Sequence, residues 1–229
     1  MPRYITSNDL STYTVAIFDL DGTLCDTQKD VFQTFREALI EKGFPPVQDE
    51  LIRIGPPLEE MFATIIGKRA DEPIVTELTL AFRRRYDISD YPNSHLYPGA
   101  EQLLRTLKAR GVYLAIATYK RVPPALHLLE VKGILPIFDL IMSIDTDGRH
   151  WTKAEMLERI LAESNQPASQ AVFFGDTISD LRAAKTHGVT SVAALYGYGK
   201  PDELYNENPD FYCESLLDIS TGTQRRQAD

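Results

Sequence analysis

Two pairs of aspartates, each directly after a short apolar run, are the residues of this 229-residue chain best suited to chemistry. Asp19 and Asp21 stand two positions apart, and Asp176 and Asp180 stand four positions apart. Side chains two apart in an extended segment point to one side, and side chains four apart share a helix face. Carboxylates brought together repel each other unless a cation neutralises them, and Mg²⁺ prefers oxygen ligands. The two pairs therefore predict a hard-metal site.

Each pair also has a structural interpretation. Asp19 and Asp21 fit a solvated turn that happens to follow a strand. Asp176 fits a helix N-cap, with Asp180 favoured by the helix dipole, which is worth about 1 kcal/mol. The metal interpretation gains weight because two strand ends of one sheet would each carry a carboxylate pair.

Other polar residues at element ends predict a phosphate site. Gly22 and Thr23 form a tight turn whose free N–H groups lie beside the first carboxylates, where they could hold a phosphate bridged by Mg²⁺. Thr118 closes another apolar run, and its hydroxyl with the next N–H could clamp a phosphate, although a threonine also suits a strand end. Lys153 has no acidic residue four positions before it, since position 149 is arginine. On its own it would be a solvated surface lysine.

The elements that must position these residues alternate between apolar runs and helical patterns. The predicted strands are 14–19, 112–118, 171–175 and 190–195, with a weaker candidate at 138–143. The predicted helices between them are 99–110, 123–132, 152–163 and 177–187. Continuous apolar runs are typical of strands buried on both faces, and this alternation predicts an α/β fold with a parallel sheet.

Residues 26 to 92 break this alternation, because they contain helical periodicity and no convincing strand. Apolar residues from Val31 to Leu39 follow one helix face, and two more helices are expected at 58–66 and 73–86. Pro73 suits a first helical turn. The segment predicts an all-helical insert, with residues 1–25 and 93–229 forming a Rossmann-like catalytic core.

Composition excludes several classes of protein. The chain is 43% hydrophobic and 25% charged, as soluble globular proteins are. Its 24 Lys and Arg against 33 Asp and Glu give a net charge of −9, which disfavours nucleic acid and anionic membranes as partners. Cys25 and Cys213 are too few for a disulfide framework, and no long apolar segment or signal peptide is evident. We therefore expect a cytoplasmic protein.

In order along the chain, Asp19-Leu-Asp21-Gly-Thr23, Thr118, Lys153 and Gly175-Asp176-x3-Asp180 resemble the four motifs of the haloacid dehalogenase superfamily. The helical insert is similar to the C1 cap of that superfamily. The segments 54–58 and 195–199 resemble its phosphoglycolate phosphatase-like and 5′-nucleotidase-like branch.

The resemblance implies a role for each matching residue. Asp19 would be the nucleophile that forms an aspartyl phosphate, and Asp21 the general acid and base. Thr118 and the following amide would hold the phosphoryl group, while Lys153 would balance charge. Mg²⁺ would be bound by Asp19, the main-chain carbonyl of Asp21 and Asp176, with Asp180 orienting or adding a water-mediated contact.

Specificity is expected from residues around the phosphate site. The residues expected to bind substrate are Gly22, Thr23, Tyr119, Lys120, Arg53 and Gly55. Arg53 could supply a cation to a carboxylate or second phosphate on the leaving group. The arginines 83–85, by contrast, are expected on a solvated helix face.

Together these features predict a Mg²⁺-dependent phosphatase acting on a small phosphomonoester, phosphoglycolate-like or a nucleoside monophosphate. The resemblance also implies a phosphoester substrate over a carbon–halogen or phosphonate bond, because superfamily members acting on the latter two lack an aspartate at the position of Asp21. A sugar phosphomutase of the same superfamily is the alternative enzyme, and a receiver-like regulatory protein carrying a phospho-aspartate is the alternative from another class. We expect a monomer or a homodimer.

Overall fold

The computed structural model of the protein describes residues 3–221. The strands are β1 Val15–Phe18, β2 Cys25–Asp26, β3 His95–Leu96, β4 Tyr113–Thr118, β5 Leu140–Ser143, β6 Ala171–Gly175, β7 Thr190–Ala194 and β8 Phe211–Cys213. The helices are α1 Gln28–Glu41, α2 Leu58–Ile66, α3 Pro73–Tyr86, α4 Ala100–Ala109, α5 Val122–Val131, α6 Lys153–Ser164, α7 Ile178–His187, α8 Pro201–Asn206 and α9 Leu216–Thr221.

The predicted parallel sheet is confirmed. It has six strands in the order β5-β4-β1-β6-β7-β8, and all neighbours run parallel. β1 is central, with Phe18 paired to Ile116 of β4 on one side and to Phe174 of β6 on the other. The carboxyl ends of these three strands therefore meet at one edge, which is where open α/β sheets bind ligands.

Burial on both faces explains why these strands are continuously apolar. Ala16 and Phe18 of β1 face one core cluster, which also contains leucines of α4. Val15 and Ile17 face the other, which contains side chains of α6 and α7. Successive side chains of a strand alternate between faces, so every residue of β1 must be apolar.

The helical insert folds around its own aromatic residues. Phe35 of α1 stacks on Phe62 of α2 with ring centroids 4.0 Å apart, and Phe82 of α3 meets Phe62 edge-on. All three rings are buried. The helices expected from periodicity are present with the expected bounds for α2 and α3.

Two short features differ from the sequence expectation. Residue Asp26, at the start of the insert, lies in β2, which pairs antiparallel with β3 where the chain returns to the sheet. β8 extends the main sheet at its edge. Both strands are two or three residues long, so they are stabilised by backbone pairing and have too little side-chain alternation to be recognised. Within residues 3–221, no helix combines the length and apolar character needed to cross a bilayer.

Candidate active site

Three of the four aspartates meet at the carboxyl edge of the sheet. Asp19 follows β1, Asp176 follows β6, and Asp180 lies in the first turn of α7. All three are buried, and each offers a carboxylate oxygen within 4.8 Å of the others. The arrangement follows from the register of β1 and β6, which ends both strands at the same level.

Lys153 is the cation of this cluster. Its Nζ lies 2.8 Å from Asp19 Oδ1 and 2.7 Å from Asp180 Oδ1, and it donates a hydrogen bond to the carbonyl oxygen of Ala117. The side chain is only 3% exposed. Lys153 is the first residue of α6, and a capping box formed by Thr152 and Glu155 stabilises this end of the helix. Lys153 is therefore a buried site residue and not the solvated lysine that its local sequence suggested.

Burial and the neighbouring charges shift the pKa values of Asp19, Asp176 and Lys153. Burial raises the pKa of Asp19 to about 6, with Lys153 opposing and Asp180 adding to the increase. Burial, then the charges of Asp19 and Asp180, raise the pKa of Asp176 to about 8. Burial alone would lower the pKa of Lys153, but the Asp180 and Asp19 carboxylates raise it above its ordinary value. One lysine thus faces three carboxylates in a site shielded from water.

Asp176 is held from behind by a turn and a loop. Its Oδ1 accepts a hydrogen bond from Thr23 Oγ1 at 3.0 Å, and its Oδ2 accepts one from the backbone N–H of Tyr198 at 2.7 Å. Gly22 has φ +86°, and a Cβ there would lie 2.3 Å from Asp176 Oδ2. Gly22 and Thr23 do not line the cavity described below. This turn packs against Asp176, and its contact with substrate stays a prediction.

Both carboxylate oxygens of Asp180 accept hydrogen bonds from other groups of the protein. Its Oδ1 pairs with Lys153, and its Oδ2 accepts hydrogen bonds from Thr177 N at 3.0 Å and Thr177 Oγ1 at 2.6 Å. Thr177, and not Asp176, is the N-cap of α7, and Asp180 completes its capping box. This arrangement suits Asp180 to orienting Lys153.

The carboxylate of Asp21 lies apart from the acidic cluster. It accepts a hydrogen bond from Thr27 Oγ1 at 2.6 Å and two from Lys120 Nζ at 3.0 Å. Lys120 also donates to the hydroxyl of Tyr86 at the end of α3, 2.9 Å away. The lysine, 6% exposed, therefore links Asp21 to the helical insert.

A cavity of about 610 Å³ lies between the sheet edge and the insert. Among the predicted site residues, its lining includes Asp19, Asp21, Gly55, Thr118, Tyr119, Lys120 and Lys153. Arg53 is exposed and does not line it, so the structure does not place this arginine where a leaving group would sit.

Arg83 does line the cavity and forms a 2.6 Å ion pair with Glu59. The expectation of a solvated helix face is therefore wrong for Arg83. Arg84 and Arg85 pair instead with Glu41 of α1.

The cluster has the chemistry of a divalent cation site. Asp19 Oδ1 is buried, and no described group donates it a hydrogen bond of normal geometry despite the nearby lysine. Three buried carboxylates share one lysine here, so a further cation would offset their repulsion, and hard oxygen donors suit Mg²⁺. The residues present therefore fit this ion, and the Asp21 carboxylate is not part of the cluster.

A family model described as haloacid dehalogenase-like hydrolase matches residues 16–194 of the chain. The chain belongs to this family. The match spans the aspartates of β1 and β6, Thr118 and Lys153, which are the residues that the fold brings to one edge.

Relatives within the family carry different names. The chain is 35% identical over 191 residues to the tyrosine-protein kinase PtkA of Mycobacterium tuberculosis, covering 82% of this chain and 64% of that protein. It is 30% identical over 211 residues to a 5′-nucleotidase of Pseudomonas aeruginosa, covering 89% of this chain and 92% of that protein. The chain thus spans less than two thirds of the length of PtkA and nearly all of the nucleotidase.

Solved structures show the same fold. A haloacid dehalogenase-like family hydrolase of Streptococcus pneumoniae superposes with a TM-score of 0.81 at 28% identity, covering 93% of this chain and all of that one. The similarity extends over both the sheet and the helical insert, since nearly the whole of each chain is covered.

Sequence reasoning missed the residues that support the site from neighbouring loops. Tyr198 holds Asp176 through its backbone, accepts a hydrogen bond from Thr27 N at 2.7 Å and donates one to Asp26 Oδ1. Gly197, next to it, would place a Cβ 2.3 Å from Asp176 Cβ. The alternation of tyrosine and glycine at 196–199 was the available signal, since glycine permits such a close approach.

Proposed function

We propose that this protein is a Mg²⁺-dependent phosphatase that hydrolyses a small phosphomonoester through an aspartyl phosphate on Asp19. The observation that carries the proposal is Asp19 itself, a carboxylate facing a large cavity and held 2.8 Å from the buried Nζ of Lys153. The nucleotidase relative, which aligns over nearly its whole length, supports hydrolysis.

In the first step, Asp19 attacks the phosphorus, and the bond between phosphorus and the ester oxygen breaks. Asp21 gives its proton to the departing oxygen, so that an alcohol leaves. Lys153 offsets the negative charge shared by Asp19 and the phosphoryl group, and Thr118 with the amide of Tyr119 holds the phosphoryl oxygens. In the second step, water attacks the phosphorus, Asp21 takes its proton, and phosphate leaves with Asp19 regenerated.

When bound, Mg²⁺ would stabilise the negative charge of the transferring phosphoryl group. Asp19, Asp176 and the main-chain carbonyl of Asp21 are the groups that would hold it. Asp180 would orient Lys153 through the 2.7 Å ion pair.

We further propose that residues 26–92 act as a cap domain on a core of residues 1–25 and 93–229, whose last residues, 222–229, lie outside the described structure. The insert supplies one wall of the cavity, and we expect it to move as substrate enters and product leaves. A small phosphorylated metabolite suits a cavity of this size between the core and the insert, whereas a nucleic acid or folded phosphoprotein would hold the insert away from the core.

We favour hydrolysis over transfer of a phosphoryl group to a tyrosine, which is the reaction that the name of PtkA indicates. The match to PtkA leaves over a third of that protein uncovered. A mutase would return phosphate to its own substrate. Product analysis with a sugar 1-phosphate, scored for a 6-phosphate against free phosphate, separates these reactions.

The proposal is tested with Asp19→Asn in a phosphate-release screen across metabolite phosphates, with Mg²⁺ and with EDTA. The amide is nearly isosteric but cannot form the acyl phosphate, so release should fall by roughly 10³-fold or more. The exposed Asp202→Asn is the matched control and should retain wild-type release. Substantial release by Asp19→Asn, or full activity in EDTA, would remove the basis of the proposal.

A further inference from the structure

The arginines on the leaving-group side of the cavity are already paired. Arg83 lies 2.6 Å from Glu59, and both come from the insert. Arg121 lies 2.9 Å from Asp87 of the insert and 3.1 Å from Asp145 of the core. The side chains of Arg121 and Asp87 are 30% and 20% exposed, and burial raises the pKa of Asp87 even though Arg121 opposes this. Two arginines therefore face three carboxylates here.

The two lysines that line the cavity are also paired with carboxylates. Lys153 is paired with Asp19 and Asp180, and Lys120 with Asp21. Of the lining lysines and arginines, this leaves Arg149, whose guanidinium stacks over the Trp151 ring at 4.4 Å and whose side chain is exposed. An exposed cation contributes little to holding an anion.

Apolar side chains from both sides of the cavity make up much of the rest of the wall, beside polar ones such as His150, Thr177 and Ser179. The insert contributes Ile54, Pro57, Leu58, Met61 and Phe82, and the core contributes Tyr119, Pro124 and Ile144. A volume of about 610 Å³ holds roughly 20 water molecules at the liquid share of about 30 Å³ each. A two-carbon leaving group such as glycolate would leave most of this apolar space filled with water.

We infer that the leaving group of the substrate is uncharged and carries a ring large enough to cover these apolar walls. This inference rests on the proposed phosphatase function. A carboxylate or second phosphate on the leaving group would lose hydration and would meet carboxylates that already occupy the available arginines. A ring gains from apolar burial and from stacking on aromatic residues such as Phe82.

Matched phosphate esters test whether the enzyme prefers an uncharged leaving group. We compare kcat/KM for benzyl phosphate, 4-carboxybenzyl phosphate and 2-phosphoglycolate, with a nucleoside 5′-monophosphate to distinguish a nucleoside from a simple aryl alcohol as the source of the ring. Benzyl phosphate should exceed both carboxylate-bearing probes by about tenfold or more, the equivalent of about 1.4 kcal/mol. A nucleotide turned over faster than benzyl phosphate would assign the ring to a nucleoside, and the reverse order to an aryl alcohol.

The second test removes one negative charge from the insert. Glu59→Gln removes the partner of Arg83, so it should raise the ratio of 4-carboxybenzyl to benzyl phosphate turnover by about tenfold. Glu60→Gln, an exposed neighbour on the same helix that does not line the cavity, should leave this ratio unchanged.

The outcomes separate this inference from the phosphatase proposal. If 2-phosphoglycolate or the carboxylated probe is preferred, while turnover still depends on Asp19, the inference is overturned and the phosphatase stands. An unchanged ratio in Glu59→Gln also overturns it. If no phosphomonoester is hydrolysed in an Asp19-dependent manner, the proposed function itself fails.

Discussion

Removing Mg²⁺ should make the free energy of unfolding fall as the pH rises from 6 to 8. Asp19, with a pKa of about 6, and Asp176, with a pKa of about 8, both start from an ordinary value of 3.8. In this range the folded protein retains protons that the unfolded chain has already released. Stability is therefore present at low pH and is lost as the pH rises through these folded-state pKa values.

The size of the effect follows from the number of retained protons. One extra proton on the folded state corresponds to about 1.4 kcal/mol for each pH unit. Asp176 retains most of a proton across this window and Asp19 loses its own near the lower end. The expected loss between pH 6 and 8 is therefore about 2–3 kcal/mol. Saturating Mg²⁺ should abolish most of this slope, because the cation replaces the protons.

Urea unfolding at pH 6, 7 and 8, with EDTA and with Mg²⁺, measures the slope. Asp176→Asn is the informative variant, because its amide oxygen can still accept from the Tyr198 N–H but does not titrate. In EDTA its slope should shrink by about 1 kcal/mol per pH unit relative to the wild type, and Mg²⁺ should stabilise it little. Equal slopes for the two proteins in EDTA would refute the buried-charge reasoning, and equal stabilisation by Mg²⁺ would place the ion elsewhere.

Two further substitutions test the residues that hold Asp21 and Asp176 in position. Lys120→Met should lower kcat by about 10–100-fold with a smaller change in KM, because Asp21 loses the cation that holds both its oxygens, and Lys120→Arg should recover part of the loss. A wild-type kcat in Lys120→Met would show that Asp21 is positioned without it. Gly22→Ala should raise the Mg²⁺ concentration for half-maximal phosphate release by about 10–100-fold, since its Cβ would collide with Asp176. Gly43→Ala is the control, because Gly43 also has a positive φ, +79°, but has nothing within 4 Å of the added Cβ.

The sequence alone determined the elements that carry the site. The apolar runs of β1, β4 and β6 must be buried on both faces, so their pattern is visible without any neighbour. Because parallel strands end at a common edge, the residues directly after them are brought together by topology. Asp19, Thr118 and Asp176 needed no tertiary information beyond this rule.

Only the tertiary structure decided which way the loop and insert side chains face. Arg53 and Arg83 are both arginines of the insert, yet only Arg83 lines the cavity. Arg83 lies one turn before Tyr86, whose hydroxyl accepts a hydrogen bond from Lys120 of the core. Lys120 follows Thr118 by two residues, and its commitment to Asp21 depends on where Tyr86 is placed. Local spacing carries no information on how an insert docks against a sheet edge, since that docking is set by contacts between residues distant in sequence.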